Sequence, residues 1–220
     1  MEELVIALIL ALVQGITEWL PISSSGHLVL FEKILGFDGL GFEGDGLLFD
    51  VAVHFGTLMA VFVYFGKDIM DIIRDLLSFK FKSEEGKLGV ALIISSIPVG
   101  IIGFLFLDVF ESVFDSLGIT ALGFGITSLL LFIASIDFSN KNKKNPSWLD
   151  SFYIGLFQVL ALVPGISRAG TSISGGLLRG LNVKSAAKFS FLMAIPVIFG
   201  ANILVVGNKT LPSELVWAAL

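Results

Sequence analysis

Uncharged apolar runs set the rhythm of this chain. Three of them, at 88–107, 116–136 and 189–208, are close to 20 residues long, and each stops at an Asp or a Lys. About 20 apolar residues are what a helix needs to cross the hydrocarbon core of a bilayer. A slightly shorter run, Val51–Gly66, carries one His and stops at Lys67. From Leu215 the last six residues read as the start of another helix, too short to span, so the chain is expected to be truncated or to end at the interface.

Two regions break the pattern. Leu4–Thr17 is uncharged but short, and Glu18, Pro21, a triple Ser and Gly26 interrupt it before apolar character resumes at Leu28. Ser151–Ser167 is longer, but Pro164-Gly165 breaks it and Arg168 ends it, and a short Gly-rich helix is predicted to follow as far as Leu178. Non-helical backbone at membrane depth survives only where protein or a water-filled cavity satisfies its polar groups. Both regions therefore read as re-entrant helix–loop–helix segments. Gln14-x6-Pro21 with Ser23-Ser24 echoes Gln158-x5-Pro164 with Ser167, and Leu58–Ala60 repeats as Leu192–Ala194. The expected organisation is one membrane domain, 1–220, built from inverted repeats at 1–115 and 116–220, a plan common in transporters.

Composition strengthens the membrane reading. Of 220 residues 55% are hydrophobic and only 15% charged, with a mean hydropathy of +0.93. A soluble domain carries about 25% charged residues. A net charge of −5 is no nucleic-acid footprint, and the absence of Cys excludes disulfides and thiolate metal sites. The acidic start, Met1-Glu2-Glu3, is unlike a secretory signal. Eleven of the 14 cations fall in 67–87, 137–147 and 179–188, which the positive-inside rule makes cytoplasmic. The Glu18 segment then enters from outside and the Arg168 segment from the cytoplasm, so that they meet near the midplane.

The chemistry concentrates at these two breaks. Gln14 and Glu18 share a helix face, and Ser23, Ser24, Ser25 and His27 follow within a few residues. The second break supplies Ser167, Arg168, Gly170, Thr171 and Ser172 at the opening of a helix. Helix N-termini hold anions, and Arg grips phosphate oxygens bidentately. A capping role accounts for Ser24 and Ser25 taken alone. His54 reads as a packing or hydrogen-bonding residue, and Lys141–Lys144 as an ordinary loop. Glu18 and Arg168 resist so bland a reading, because ionisable groups inside a membrane are functional by default. Together the groups suit phosphoryl transfer in a membrane. Zn²⁺ is disfavoured with no Cys and two His. Mg²⁺ or Ca²⁺, held by substrate oxygens and the Glu18 carboxylate, is allowed. No organic cofactor is expected. A transporter or flippase of anionic lipids, and a non-catalytic lipid scaffold, are the competing classes.

At these residues the sequence resembles the undecaprenyl-diphosphate phosphatase family, the bacitracin-resistance phosphatases. One family motif stands here as Gln14…Glu18…Pro21-Ile22-Ser23-Ser24-Ser25-Gly26-His27, the other as Pro164-Gly165-Ile166-Ser167-Arg168-Ala169-Gly170-Thr171-Ser172. The likeness extends over nearly the whole chain, including Phe49-Asp50-Val51 and Ile97-Pro98. Three departures stand out. Gln14 takes the family's Gln option, Ala169 replaces a Ser while Thr171-Ser172 shifts the usual Thr by one, and the chain stops before the family's last hydrophobic segment finishes.

The resemblance implies an all-α integral membrane fold of six spanning helices with two re-entrant pairs, in the cell membrane, with a site open to the outer face. The implied reaction is hydrolysis of a long-chain isoprenyl diphosphate lipid to the monophosphate and phosphate, recycling the carrier of cell-envelope sugars. Bilayer and lipid are the implied partners, and a homodimer is compatible. Ser24 would attack phosphorus with His27 or Glu18 taking its proton, or His27 would attack with Ser24 as a phosphate ligand. Arg168 and the N–H groups of Gly170–Ser172 would hold the diphosphate, with Gln14, Ser23, Ser25 and Ser167 beside them.

Overall fold

The computed structural model describes residues 2–37, 45–114, 116–136 and 142–208. The expected helix start at Leu215 lies outside the described residues, as do Lys141 and Asp115. Among those described, the regular structure is helical apart from an isolated parallel bridge between Lys143 and Leu181. The helices are α1 (Glu2–Thr17), α2 (Ser24–Leu35), α3 (Asp45–Tyr64), α4 (Gly66–Leu77), α5 (Glu84–Leu105), α6 (Leu107–Val113), α7 (Leu117–Ser135), α8 (Trp148–Val159), α9 (Arg168–Leu178) and α10 (Val183–Asn208). A single 3₁₀ turn, Leu160–Leu162, extends α8.

Among the described residues three helices are long and apolar enough to cross a membrane: α5, α7 and the Val183–Gly200 part of α10. The first two start at hydroxyl caps, to which α5 adds dipole-matching charge. Ser83 Oγ accepts the Gly86 N–H at 2.9 Å, with Glu84 and Glu85 in the first turn of α5. Ser116 Oγ accepts from Ile119 N at the head of α7. The third helix departs from expectation. Asn182 Oδ1 accepts the Ser185 N–H at 2.9 Å, so α10 begins well before the apolar run and takes Lys184 and Lys188 into its opening turns. Lys188 tolerates that position because its long stem reaches Asp68 at 2.5 Å. Likewise 67–87, read as a cation-rich connection, contains the whole of α4 after Gly66.

The larger core joins α3, α4, α5, α8, α9 and α10 through Leu58, Val61, Ile72, Leu92, Ile154 and Leu192, among others. A smaller one, around Ala7, Leu10, Leu28 and Phe37, joins α1 to α2. Large apolar side chains also cover the outside. Ile93, Ile97, Ile101 and Phe104 stand exposed along α5, and Leu122, Leu129 and Phe132 along α7. Contiguous apolar surface on this scale fits lipid and not water.

The 142–147 segment is more than a loop. Asp150, buried in the first turn of α8, pairs with Lys143, accepts Arg179 Nε at 2.9 Å and closes a capping box with Ser147. Burial pushes its carboxyl up, but the hydrogen bonds from Lys143, Ser147 and Arg179 outweigh this and hold it well below the ordinary carboxylate range. The Lys143 N–H donates to Gly180 O and the Asn182 N–H to Lys143 O, so this cluster clamps α8 to the far end of α9.

Candidate functional site

Both broken segments fold as helix, turn, helix. In the first, α1 ends at Thr17, and α2 restarts at Ser24 after Pro21. Ser23 caps α2 by accepting the Gly26 N–H at 3.2 Å, with φ of 69°. A left-handed backbone is strained for any residue with a side chain, at a cost of about 1–3 kcal/mol. In the second, the α8 turn gives way at Val163 and Ser167 caps α9, accepting the Gly170 N–H at 2.9 Å. Each break thus carries a Ser cap bonded to the Gly three residues on.

The two turns touch. A Cβ added to Gly26 would sit 2.9 Å from Gly165 Cα, and one on Gly170 would sit 3.2 Å from Pro21 O. Thr127 of α7 fixes the second turn from behind, donating to Gly165 O at 3.1 Å and accepting the Ser167 N–H at 2.9 Å. The N-termini of α2 and α9 are brought together in this way. The N–H groups of Ser24, Ser25, Arg168 and Ala169 have no acceptor within their own helices.

Glu18 is the hub. It is buried, and its Oε1 takes the Arg168 Nη2–H in an ion pair between residues 150 apart in sequence. Its Oε2 accepts the Ser24 hydroxyl at 2.5 Å and Gln14 Nε2 at 3.1 Å. Arg168 is anchored on its other side by Nη1 donating to Ser190 O at 3.1 Å. Gln14, Glu18, Ser24 and Arg168, four residues singled out from sequence, therefore form one contact network.

The remaining ones stand around it. His27 donates from Nδ1 to Ser23 O at 2.7 Å and packs edge-on against Phe124, so Nε2 is the nitrogen able to take a proton. Ser23 and Ser25 hydroxyls lie 3.4 Å apart. Ser167 is occupied as a cap. Gly170 N–H is bonded to it, and Thr171 N–H to Ser167 O. The Thr171 hydroxyl donates back to Arg168 O, and that of Ser172 to Arg168 O and Ser190 Oγ. The N–H groups that α9 leaves open are thus those of Arg168 and Ala169, two residues earlier than the sequence reading begins them.

One neighbour, read from the sequence as a packing or hydrogen-bonding residue, also lies beside Glu18. His54 Nε2 of α3 lies 3.8 Å from Glu18 Oε2, while its Nδ1 donates to Asp50 O at 2.7 Å. Its signal was present, as the lone His of the 51–66 run. Ser190 and Thr127, which hold Arg168 and the second turn, gave no such signal.

A family model described as bacitracin resistance protein BacA matches residues 7–219. Among curated proteins the chain is similar to the undecaprenyl-diphosphatase of Carboxydothermus hydrogenoformans, 45% identical over 90% of this chain and 71% of that protein. It is similar to that of Christiangramia forsetii, 44% identical over 88% of this chain and 72% of that protein. The undecaprenyl-diphosphatase of Thermosipho africanus is 40% identical over 97% of this chain and 83% of its own length.

Proposed function

The chain belongs to the bacitracin resistance protein BacA family, and from that membership joined to the site's geometry we propose that it is a phosphatase of undecaprenyl diphosphate. One observation carries the mechanism: the Ser24 hydroxyl is hydrogen-bonded to a carboxylate that is itself paired with Arg168. Ser24 Oγ attacks the terminal phosphorus and passes its proton to Glu18 Oε2. The bond to the bridging oxygen breaks, and the prenyl monophosphate departs with that oxygen. Water then attacks the phosphoserine, Ser24 regains a proton and inorganic phosphate leaves. The 2.5 Å contact from the Ser24 hydroxyl supports Glu18 as the base ahead of His27. Arg168 and the open N–H groups of α2 and α9 meet the charge that grows on the phosphoryl oxygens.

A hard divalent cation fits the donor set. Among the described residues Gln14 Oε1 is buried with no hydrogen-bond partner beside the Glu18 carboxylate, and oxygens of this type suit Mg²⁺ or Ca²⁺. When bound, such an ion would neutralise diphosphate charge. The matched Ser caps and the buried Gln14 and Gln158 ahead of each break support inverted repeats and re-entrant pairs within a six-span, cell-membrane fold. The cation distribution supports an outward-opening site. The relatives' names favour hydrolysis over the flippase reading.

Purified chain in detergent, without a membrane gradient, is expected to release phosphate from undecaprenyl diphosphate. Binding without release would overturn the proposal in favour of transport. In the same assay Arg168→Lys keeps the charge but loses the planar fork with its parallel hydrogen bonds. One charge-assisted bond is worth about 1.5–3 kcal/mol, so kcat/KM should fall roughly ten- to a hundredfold. Activity within about twofold of wild type would leave Arg168 a structural counter-ion.

A further inference from the structure

Helix α4 and the turn behind it carry a surface that the catalytic reading does not use. Ile69, Ile72 and Leu76 pack inward, the last two against Gly89 of α5. Gly89 is only five residues into a membrane-crossing helix, so α4 lies roughly 8 Å from the start of that span. That is the depth at which interfacial helices lie.

A second apolar stripe on α4 is left bare. Met70, Ile73 and Leu77, spaced i, i+3 and i+7, are 65%, 44% and 75% exposed. At 100° per residue the cations Lys67 and Arg74 border this stripe on one side, and the acids Asp68, Asp71 and Asp75 lie beyond them, away from it. Asp68 is already taken by Lys188. The stripe then runs into Phe79-Lys80-Phe81-Lys82, where both aromatic rings are exposed and meet edge-to-face at 5.8 Å. Phe79 closes α4 with φ of 54°, in a conformation where Gly is the usual residue. A bulky aromatic held there, against strain and in contact with solvent, points to a use for the ring outside the chain. Glu84 and Glu85 follow in the first turn of α5, facing its positive dipole end.

We propose that this surface is a docking site for anionic phospholipid: the Met70–Ile73–Leu77 stripe with Phe79 and Phe81 enters the acyl boundary, and Lys67, Arg74, Lys80 and Lys82 take the lipid phosphates. Charge complementarity selects this occupant. A second copy of the chain would bring the same cations against one another. Cations beside apolar and aromatic groups are the makeup of a surface that binds anionic bilayers.

The chain has no Cys, so Ser78→Cys accepts a single polarity-sensitive fluorophore. With one copy per nanodisc and phosphatidylglycerol titrated into phosphatidylcholine, the emission is expected to shift to the blue. Each cation near an anionic surface contributes about fivefold to lipid association. Lys80→Gln/Lys82→Gln should therefore weaken the phosphatidylglycerol response by about twenty-five-fold, with thermal unfolding in detergent unchanged. An emission indifferent to phosphatidylglycerol, or an equal response in the variant, would overturn the proposal. So would a blue shift confined to discs holding two copies, which would assign the stripe to self-association.

Discussion

Glu18→Gln lowers kcat/KM on undecaprenyl diphosphate by about 10²–10⁴, the range that a positioned general base contributes. The amide keeps the shape of the carboxylate and can still meet Gln14, but it cannot take the proton of Ser24 or balance Arg168. Ser24→Ala removes the attacking oxygen and should bring activity down at least as far. Because the two residues act as a unit, the double variant should be little worse than the poorer single one. Rates that multiply in the double variant would show that the two groups act separately, and would remove Glu18 as the base of Ser24. The assay is phosphate release by purified variants, with inserted protein quantified in each case.

Gly165→Ala is expected to fail earlier, at folding. Gly165 has φ of 83°, and a Cβ there would lie 2.1 Å from the Thr120 carbonyl oxygen. Retreat is blocked by Gly26, whose own missing Cβ leaves room for Gly165 Cα. Backbone strain with a clash against main chain costs about 3 kcal/mol or more. In a chain of this size that should lower Tm by roughly 6–12 °C, measured by circular dichroism in detergent. Gly15→Ala is the control. Nothing lies within 4 Å of its added Cβ, so the helix interior should hold Tm or raise it.

Much of this was legible in the residues. The α7 helix follows its uncharged run closely, since in a bilayer a charge is a strong punctuation mark, whereas α5 opens four residues ahead of its run and takes in Glu84, Glu85 and Lys87. The same rule misplaced the start of α10, because Lys188 carries its charge out along a flexible stem to Asp68. Helix α4 was hidden because its charges, read as a list, look like a loop, while on a helix they separate onto one side. At the site, Glu18 and Arg168 declared themselves as ions in apolar surroundings. His54 met the same criterion and received less weight, because its neighbours in sequence are all apolar and its partner is 36 residues away. Ser190 and Thr127 were beyond reach. Hydroxyls in apolar helices routinely bond their own backbone, and only the fold reveals which of them hold Arg168 and Gly165.

The ion pair between Glu18 and Arg168 also has a bearing on how the protein is made. Translation at about 5–20 residues per second separates the two side chains by roughly 8–30 s. During that interval the first helical pair sits in or beside the membrane with a carboxylate whose counter-charge has not yet been synthesised. A nascent chain that stalls before α9 therefore holds Glu18 without its partner. The pairing of the two broken segments through these charges is complete only once α9 has been made.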